Sequence, residues 1–371
     1  MKWETVRLSD VAIDFFYGSM PKKEDLSEKG YPVFSGYRFV GYSTKFNIEK
    51  ETLVVVARGV GGTGDVKIAP AKSFLTNLSI AVSLDESKVD LYFLFYLLKH
   101  QGLRYLDSGA AQSQITIANL KSHRISLPPL QTQKSISKIL SAYDDLIENN
   151  QKQIKLLEEA AQRLYKEWFI DLRFPGHEST PIHDGIPEGW EKKSLGQIAD
   201  VVMGQSPKSE YYNSNKEGLP FHQGVGSYGN RFVVDDVYSS SFTRIAEAGS
   251  ILFSVRAPVG RLNITRNKIV IGRGIAAMNH KEGMQSLLFY MLKERFFKDN
   301  LVGNGSIFAS ISKDEVLGQS FIVPTPSIAC QYNDIASAID KKIEAVDEEI
   351  LKLTEARDRL LPKLMSGEIE V

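Results

Sequence analysis

Between residues 128 and 169, apolar side chains recur at steps that alternate between four and three residues. These positions are Ile136, Leu140, Tyr143, Ile147, Ile154, Leu157, Ala161, Leu164 and Trp168. Asn150 occupies the one polar position in the series. A narrow apolar seam with this period is typical of a coiled-coil helix rather than an isolated surface helix, and we assign a long helix to residues 131–173.

A second copy of this helix closes the chain, and we assign it to residues 327–371. The residues S-A-Y-D at 141–144 return as S-A-I-D at 337–340. Because each apolar seam needs a partner, we predict that the two helices pair with one another. We place the following residues in their interface: Ile136, Leu140, Ile147, Asn150, Ile154, Leu157, Leu164, Ile339, Ile343, Val346, Ile350, Leu353 and Leu360.

Two polar residues of the seams need an explanation. Asn150 is either a solvated defect or a residue that fixes the register of the paired helices, and the sequence leaves both explanations open. Arg357 falls on the second seam. We expect its long side chain to extend toward solvent rather than to pair with another group.

The segments that precede the two helices are also related to each other. Three pairs of segments match: W-E-T-V-R-L-S-D-V-A (3–12) with W-E-K-K-S-L-G-Q-I-A (190–199), L-V-V-V-A-R-G-V-G (53–61) with I-L-F-S-V-R-A-P-V-G (251–260), and L-F-Y-L-L-K (94–99) with L-F-Y-M-L-K (288–293). We therefore predict a duplicated unit, with one globular domain at 1–130 and another at 190–326. A linker rich in Pro and Gly separates them at 174–189.

The composition is that of an ordinary globular protein, because 43% of the residues are hydrophobic and 24% are charged. The single cysteine excludes an internal disulfide framework and a zinc site built from cysteines. No apolar run reaches the roughly 18 residues of a membrane span, so we expect a cytoplasmic protein that contacts no membrane. The net charge is zero, which by itself argues against a nucleic-acid-binding protein.

Gly59, Gly61 and Gly64 form a G-x-G-x-x-G motif after an apolar run. The next residues, D-V-K-I-A-P, do not start a helix, so a tight hairpin turn explains the motif better than dinucleotide binding does. The motifs of P-loop enzymes, α/β-hydrolases, zinc proteases and amino-methyltransferases are missing from the sequence. We therefore expect a non-catalytic protein with no cofactor or metal ion of its own.

Basic residues are concentrated between 244 and 273, where Glu247 is the only acidic residue. They are Arg244, Arg256, Arg261, Arg266, Lys268 and Arg273. Outward-pointing arginines on strands can bind phosphates or guanine edges, and a merely solvated sheet face remains the alternative. The loop with Gln112, Ser113 and Gln114 also offers polar side chains of the kind that read base edges.

With these features in place, the chain resembles the specificity subunit of type I restriction-modification systems over nearly its whole length. The resemblance is carried by L-P-P-L-Q-T-Q-K-S-I (127–136), L-Y-K-E-W-F-I-D-L-R-F-P-G (164–176), I-P-E-G-W (186–190), G-R-G-I-A-A (272–277) and L-M-S-G-E-I-E-V (364–371). It implies an α+β fold in which two similar α/β target recognition domains are separated by two long helices. The helices are expected to form an antiparallel coiled coil with pseudo-twofold symmetry.

The resemblance also implies a function and partners. Such a subunit recognises double-stranded DNA in a complex with two modification subunits, which carry the methyltransferase chemistry, and with restriction subunits, which hydrolyse ATP and cleave. S-adenosylmethionine, ATP and Mg would then be cofactors of those partners. The alternative from another class is a coiled-coil scaffold that binds no DNA and carries duplicated protein-binding domains.

A bipartite DNA site follows from the helix length. At ~1.5 Å per residue, a helix from 136 to 168 spans about 50 Å, which is roughly one to one and a half turns of B-DNA at about 34 Å per turn. Two domains at its ends would read a split site with an unread spacer. Our candidate DNA contacts are Arg58, Asn77, Gln112 and Gln114 in the first domain and Gln223, Arg231, Arg256, Arg261 and Arg273 in the second.

Overall fold

The computed structural model describes residues 3–36, 38–59, 62–107, 113–296 and 310–371. The chain divides into two compact units. The first unit comprises Met1–Gln151 and Glu348–Val371, and the second comprises Lys152–Asp347. Each of the two long helices contributes one part to each unit.

The helices are α1 (Leu8–Val11), α2 (Leu91–Gln101), α3 (Ile117–Ser122), α4 (Leu130–Phe169), α5 (Leu195–Ile198), α6 (Gln285–Phe296), α7 (Lys313–Leu317) and α8 (Pro326–Ser366). The strands up to the linker are β1 (Glu4–Arg7), β2 (Ala12–Tyr17), β3 (Leu26–Ser27), β4 (Tyr31–Ser35), β5 (Arg38–Ser43), β6 (Thr52–Val56), β7 (Val66–Ala69), β8 (Phe74–Leu75), β9 (Ser79–Leu84), β10 (Arg124–Leu127), β11 (Ile182–His183) and β12 (Ile186–Pro187). The strands that follow are β13 (Glu191–Ser194), β14 (Ala199–Met203), β15 (Tyr212–Asn213), β16 (Leu219–His222), β17 (Tyr238–Ser239), β18 (Ile245–Ala246), β19 (Ile251–Ser254), β20 (Leu262–Ile264), β21 (Ile269–Ile271), β22 (Ile275–His280) and β23 (Ser320–Val323).

Within the described residues, the first unit contains two four-stranded sheets. One has the strand order β2-β9-β6-β7 and is antiparallel. The other has the order β3-β5-β4-β8, and in it β4 and β8 are parallel. A separate pair, β1 and β10, ends next to the start of α4, so the long helix leaves the domain from an anchored strand.

The apolar run of β6 is continuous because both faces of this strand are buried. Leu53 and Val55 belong to the large core that includes Phe93 of α2. Val54 belongs to a smaller apolar cluster that joins the two sheets and includes Leu75. Successive side chains of a strand point to opposite faces, so a strand between two cores needs apolar residues at every position.

The second unit repeats this architecture in the part of the chain that the structure describes. The order β14-β22-β19-β20 repeats the order of the equivalent strands β2-β9-β6-β7. A second sheet, β15-β17-β16-β21-β18, again contains a parallel pair, β16 with β21. In β19, Ile251 and Phe253 face the core that contains α6, whereas Leu252 faces the apolar cluster that joins the sheets. The duplicated globular domain predicted from the sequence is therefore present.

In the first unit, the two long helices run in opposite directions. Ile136 and Leu140, early in α4, share a core with Leu364 near the end of α8. Later in α4, Asp144 forms an ion pair with Arg357, which lies earlier in α8. The prediction that Arg357 extends to solvent without a partner is therefore wrong. Its Nη1 donates to Asp144 Oδ1 at 2.5 Å, because the opposite helix brings a carboxylate within reach.

The helix segments of the second unit are antiparallel as well. The Tyr332 hydroxyl of α8 donates to the carbonyl oxygen of Ala161 in α4 at 3.1 Å. Earlier in α4 and later in α8, Glu158 and Asp340 both bind Arg231. The two segments therefore run in opposite directions, because an earlier residue of α4 lies near a later residue of α8.

The structure places each predicted residue of the helix interface in a buried or half-buried position. The buried ones are Ile136, Leu140, Ile147, Asn150, Ile343 and Val346, and the half-buried ones are Ile154, Leu157, Leu164, Ile339, Ile350, Leu353 and Leu360. Asn150 is 7% exposed, and its Nδ2 has no hydrogen-bond partner among the described residues. This burial counts against the solvated-defect explanation of Asn150, and its role in fixing the helix register stays a prediction.

Three further sequence features can be located. The first long helix ends at Phe169 instead of residue 173, and Phe174 of the linker is buried against Trp190 with the ring centroids 4.8 Å apart. The glycine motif lies between the antiparallel strands β6 and β7, which is the predicted hairpin, although Gly61 itself lies outside the described residues. Among the described residues, no helix combines the length and apolarity needed to cross a membrane.

Helix packing in the first unit gives a direct stability test. Leu140 is 0% exposed in the shared core, so Leu140→Ala should lower the free energy of unfolding by ~2–5 kcal/mol. Leu146 is on the same helix and is 48% exposed, so the control Leu146→Ala should change it by about 0.5 kcal/mol or less. Urea denaturation, with hydrogen exchange of α2 reporting on the first unit, measures both. Equal effects of the two variants would contradict this packing.

Candidate nucleic-acid interface

In the second unit, strand ends from both sheets meet at the turn of residues 272–274. The Gly272 amide donates to the His222 carbonyl at 2.8 Å, and the Gly274 amide donates to the Gln223 carbonyl at 3.0 Å. The Val255 amide donates in turn to the Gly274 carbonyl at 2.9 Å. Backbone hydrogen bonds therefore fix the loops after β16, β19 and β21 next to one another.

The two glycines of this turn are required by its close packing. A Cβ atom at Gly274 would lie 2.4 Å from the Gln223 carbonyl oxygen, and one at Gly272 would lie 3.0 Å from the Gln223 Cα and the Ser206 Oγ. Any side chain would force these loops apart. Arg273, between the glycines, is exposed, and its backbone amide donates to Ser206 Oγ at 3.3 Å.

Two further arginines lie beside this turn. Arg256 directly follows Val255, is exposed, and forms an isolated backbone bridge with Ser310. Arg244 is also exposed, and its carbonyl accepts a hydrogen bond from the Ile271 amide at 2.9 Å. We call Gln223, Arg244, Arg256 and Arg273 the second loop cluster.

The first unit has the same backbone frame around different side chains. The Thr76 amide donates to the Phe34 carbonyl at 3.0 Å, and the Ala57 amide donates to the Leu78 carbonyl at 2.8 Å. Asn77, between Thr76 and Leu78, thus occupies the place that Arg273 has in the second unit.

A backbone bridge extends this correspondence to two more positions. Arg58 bridges with Gln114, as Arg256 does with Ser310. The amides of Ile115 and Ile311, which follow these bridges, each donate at 2.9 Å, to the carbonyls of Ala57 and Val255 respectively. We call Arg58, Asn77 and Gln114 the first loop cluster.

The side chains of the two clusters can bind different chemical groups. A guanidinium matches the O6 and N7 acceptors of guanine and also binds phosphate, whereas an Asn amide matches N6 and N7 of adenine. With Asn77 and Arg273 at equivalent positions, one backbone frame presents two chemically different surfaces. This is the arrangement expected when two domains read two different sequences.

One of the candidate DNA contacts is wrong. Arg231 is 3% exposed, and it binds Glu158 and Asp340 while its guanidinium lies 4.3 Å from the Phe289 ring centroid. It cannot present that group to DNA, because both carboxylates come from helices packed against its loop.

The remaining candidates fall into three groups. The exposed ones are Arg58, Asn77, Gln223, Arg256 and Arg273. Gln114 and Arg261 are half-buried, and the Arg261 amide donates to Ser254 Oγ at 2.8 Å in the turn after β19. Gln112 lies outside the described residues.

Two of the basic residues between 244 and 273 form salt bridges. Arg266 forms an ion pair with Asp347 and lies 3.8 Å from the Phe232 ring centroid, and Lys268 binds Glu247 at 2.9 Å. Arg266 therefore serves the fold, whereas the pair of Lys268 and Glu247 lies at the surface and Arg244 joins the second loop cluster. The sequence placed Arg244 in the basic stretch but gave no reason to select it.

A buried histidine supports the second loop cluster. His222 is fully buried, with Nδ1 at 2.8 Å from Ser227 Oγ and Nε2 at 2.9 Å from Asp235 Oδ1. The hydrogen bond from His222, opposed by partial burial, keeps the pKa of Asp235 below its ordinary value. This network holds the turn that begins at Gln223, and a lone histidine in the sequence gave no signal for it.

Within the described part of the chain, no group of His, Cys, Asp and Glu side chains is arranged to hold a metal ion.

Comparisons with known proteins point in one direction. The family model of the type I restriction modification DNA specificity domain matches residues 1–159 and 187–355. The chain is 34% identical over 304 residues to the putative type I restriction enzyme MjaX specificity subunit of Methanocaldococcus jannaschii, which covers 77% of this chain and 70% of that protein. It is 27% identical over 343 residues to the MjaIX specificity subunit of the same organism, covering 87% of this chain and 78% of the relative.

The fold agrees with a solved structure. The type I restriction-modification S subunit from M. genitalium aligns with a TM-score of 0.68 at 21% sequence identity, over 98% of this chain and 96% of that one. This likeness confirms the predicted α+β fold class. With both globular domains matched by the family model, the chain belongs to the type I restriction-modification DNA specificity family.

Proposed function

We propose that this chain recognises a bipartite DNA site, with the first loop cluster reading one half-site and the second loop cluster reading the other. Proteins of this family are the non-catalytic specificity subunits of type I complexes, where they bind DNA and act with methylase and restriction subunits. One observation carries the finer proposal. The same backbone frame occurs twice and presents Asn77 in one unit and Arg273 in the other.

Charge supports DNA as the ligand of these clusters over a protein partner. Arg244, Arg256 and Arg273 are exposed together on one set of loops, where a duplex would meet three cations. The zero net charge of the chain is compatible with DNA binding if basic surfaces of partner subunits supply much of the phosphate binding. A scaffold for protein partners would not need this arrangement, and salt-dependent DNA binding separates the two functions.

We further propose that two modification subunits and the restriction subunits assemble with this chain. Exposed apolar side chains on the long helices support a partner surface there: Leu146 and Leu156 on α4, and Ile335 and Leu351 on α8. S-adenosylmethionine, ATP and Mg are then held by those partners. Because the ligand is cellular DNA, we place the complex in the cytoplasm.

The experiment that tests this function is a methylation map. The chain is expressed with its neighbouring modification subunit, and methylated bases are located across the genome by single-molecule sequencing. We expect a motif of two short defined sequences separated by undefined bases, which disappears when this chain is deleted. Methylation that is unchanged by the deletion, or a single continuous motif, would contradict the proposal.

A pair of arginine substitutions assigns each loop cluster to its half-site. Arg256→Ala should weaken binding by about tenfold or more and relax base preference only in the half-site read by the second domain, since a bidentate contact is worth ~1–3 kcal/mol. Arg58→Ala, at the equivalent position, should do the same only in the other half-site. Competition binding with single base changes in each half-site measures both effects. If either variant weakened both half-sites equally, that arginine would be a phosphate contact or a fold residue.

Arg273→Lys tests readout by a fork-shaped side chain at constant charge. Lysine keeps the positive charge but loses the planar donor pair, so discrimination at one base pair should fall by about tenfold while the salt dependence of binding stays unchanged. Binding titrations at several salt concentrations separate the two quantities. If base preference and salt dependence both stayed unchanged, Arg273 would instead be assigned to a phosphate, because lysine retains the charge that binds it.

A further inference from the structure

In each unit, a tyrosine of the globular domain is bound to an aspartate of a long helix. The Tyr96 hydroxyl of α2 donates to Asp144 Oδ2 of α4 at 2.6 Å. The Tyr290 hydroxyl of α6 donates to Asp340 Oδ1 of α8 at 2.8 Å. The two pairs are copies of each other, because both tyrosines end an L-F-Y segment and both aspartates end an S-A-x-D segment.

An arginine completes each cluster, but it comes from a different element. In the first unit, Arg357 of α8 binds Asp144, so the arginine joins one long helix to the other. In the second unit, Arg231 binds Asp340 at 2.5 Å and Glu158 of α4 at 3.0 Å. Arg231 belongs to the loop between β16 and β17, so here a domain loop is tied to both long helices.

The two tyrosines and Arg231 are buried, whereas Asp144, Asp340 and Arg357 are half-buried. Burial lowers the pKa of the Arg231 guanidinium, but the carboxylate of Asp340, together with Tyr290 and Glu158, raises it above its ordinary value overall. Burial raises the pKa of both tyrosine hydroxyls, which remain donors. Buried ion pairs add little stability over apolar residues of the same size, and their best-attested role is to select one arrangement of packed elements.

In the second unit, the loop that carries Arg231 is hydrogen-bonded to the sheet that leads into the second loop cluster. The Ile264 amide of β20 donates to the Arg231 carbonyl at 2.9 Å, and Asn263 Nδ2 donates to the Gly229 carbonyl at 3.0 Å. β20 pairs with β19, which leads into Arg256. Movement of the Arg231 loop on the helices would therefore move the second loop cluster as well.

We propose that the clusters Tyr96-Asp144-Arg357 and Tyr290-Asp340-Arg231 are positioning latches that hold each reading domain in one orientation on its helix segments. By fixing these orientations, the latches determine how strictly the length of the spacer between the half-sites is recognised. This inference rests on the proposed function. The latch residues lie outside both loop clusters, so we expect them to affect spacer length and not the identity of the bases.

The test removes one charge from a latch without changing its shape. Asp340→Asn keeps an oxygen acceptor for Tyr290 but loses the charge that binds Arg231, and Asp334→Asn, at an exposed position of α8, is the matched control. In the first unit, Asp144→Asn is compared with Asp145→Asn at the next, exposed position. Each variant is purified with its modification subunit and methylates a mixture of DNAs. These carry both half-sites with the native spacer or with one base pair more or fewer.

Asp340→Asn is expected to lower the preference for the native spacer by about tenfold, the scale of a lost hydrogen bond to a charged group. Asp144→Asn should lower it in the same direction, and both controls should keep the wild-type ratio. The bases preferred within each half-site should stay unchanged. Tyr290→Phe, which retains the packed ring, should give a smaller decrease and serves if Asp340→Asn does not fold.

Two results would overturn the latch. One is a wild-type spacer preference in folded Asp340→Asn and Tyr290→Phe. The other is an equal loss of methylation on all three spacers, which would make the clusters purely structural. Failure of the proposed function is distinguishable, because the wild-type complex itself would then show no chain-dependent bipartite methylation.

Discussion

Each domain depends on a central strand that is buried on both of its faces. In β6 and β19, side chains alternate between the core that contains the domain helix and the apolar cluster that joins the two sheets. A shift of one residue would exchange these two sets, so the register of such a strand is strongly specified. Arg58 and Arg256 follow these strands by two residues. The position of each arginine at the domain surface is therefore set by packing in the interior.

Around these strand ends, the groups that form the fold differ from the side chains that are proposed to contact DNA. Backbone hydrogen bonds build the loop frame in both units. The close approach of Gly272 and Gly274 to Gln223 belongs to the second unit, because the first unit has Thr76 and Leu78 at these positions. The exposed side chains do not build the frame, so they can differ between the domains without altering it. Two domains with the same architecture can in this way read unrelated half-sites, and each domain is followed in the chain by one of the long helices.

Features that depend on a local or repeated sequence pattern could be predicted from the sequence. Contacts between segments that are far apart in the chain could not. The sequence repeat correctly aligned Arg58 with Arg256 as equivalent positions of the two domains. The four-three period of apolar residues located both long helices to within a few residues. The contacts of Arg231 with Glu158 and Asp340, and of Arg357 with Asp144, could not be predicted, because these carboxylates are more than seventy residues away in the chain. Arg357 also binds the adjacent Asp358. The support of Gln223 by His222 is likewise invisible without the fold, since its two partners are placed by a loop of irregular structure.

The central claim is that each domain reads its own half-site through its own loop cluster, independently of the other. The most direct measurement is the methylated motif of a chimera in which residues 190–326 are replaced by a second copy of residues 1–130, with both long helices unchanged. The account predicts a site in which the first half-site occurs twice and the second half-site is absent. A folded, active chimera that still required the original second half-site would contradict it.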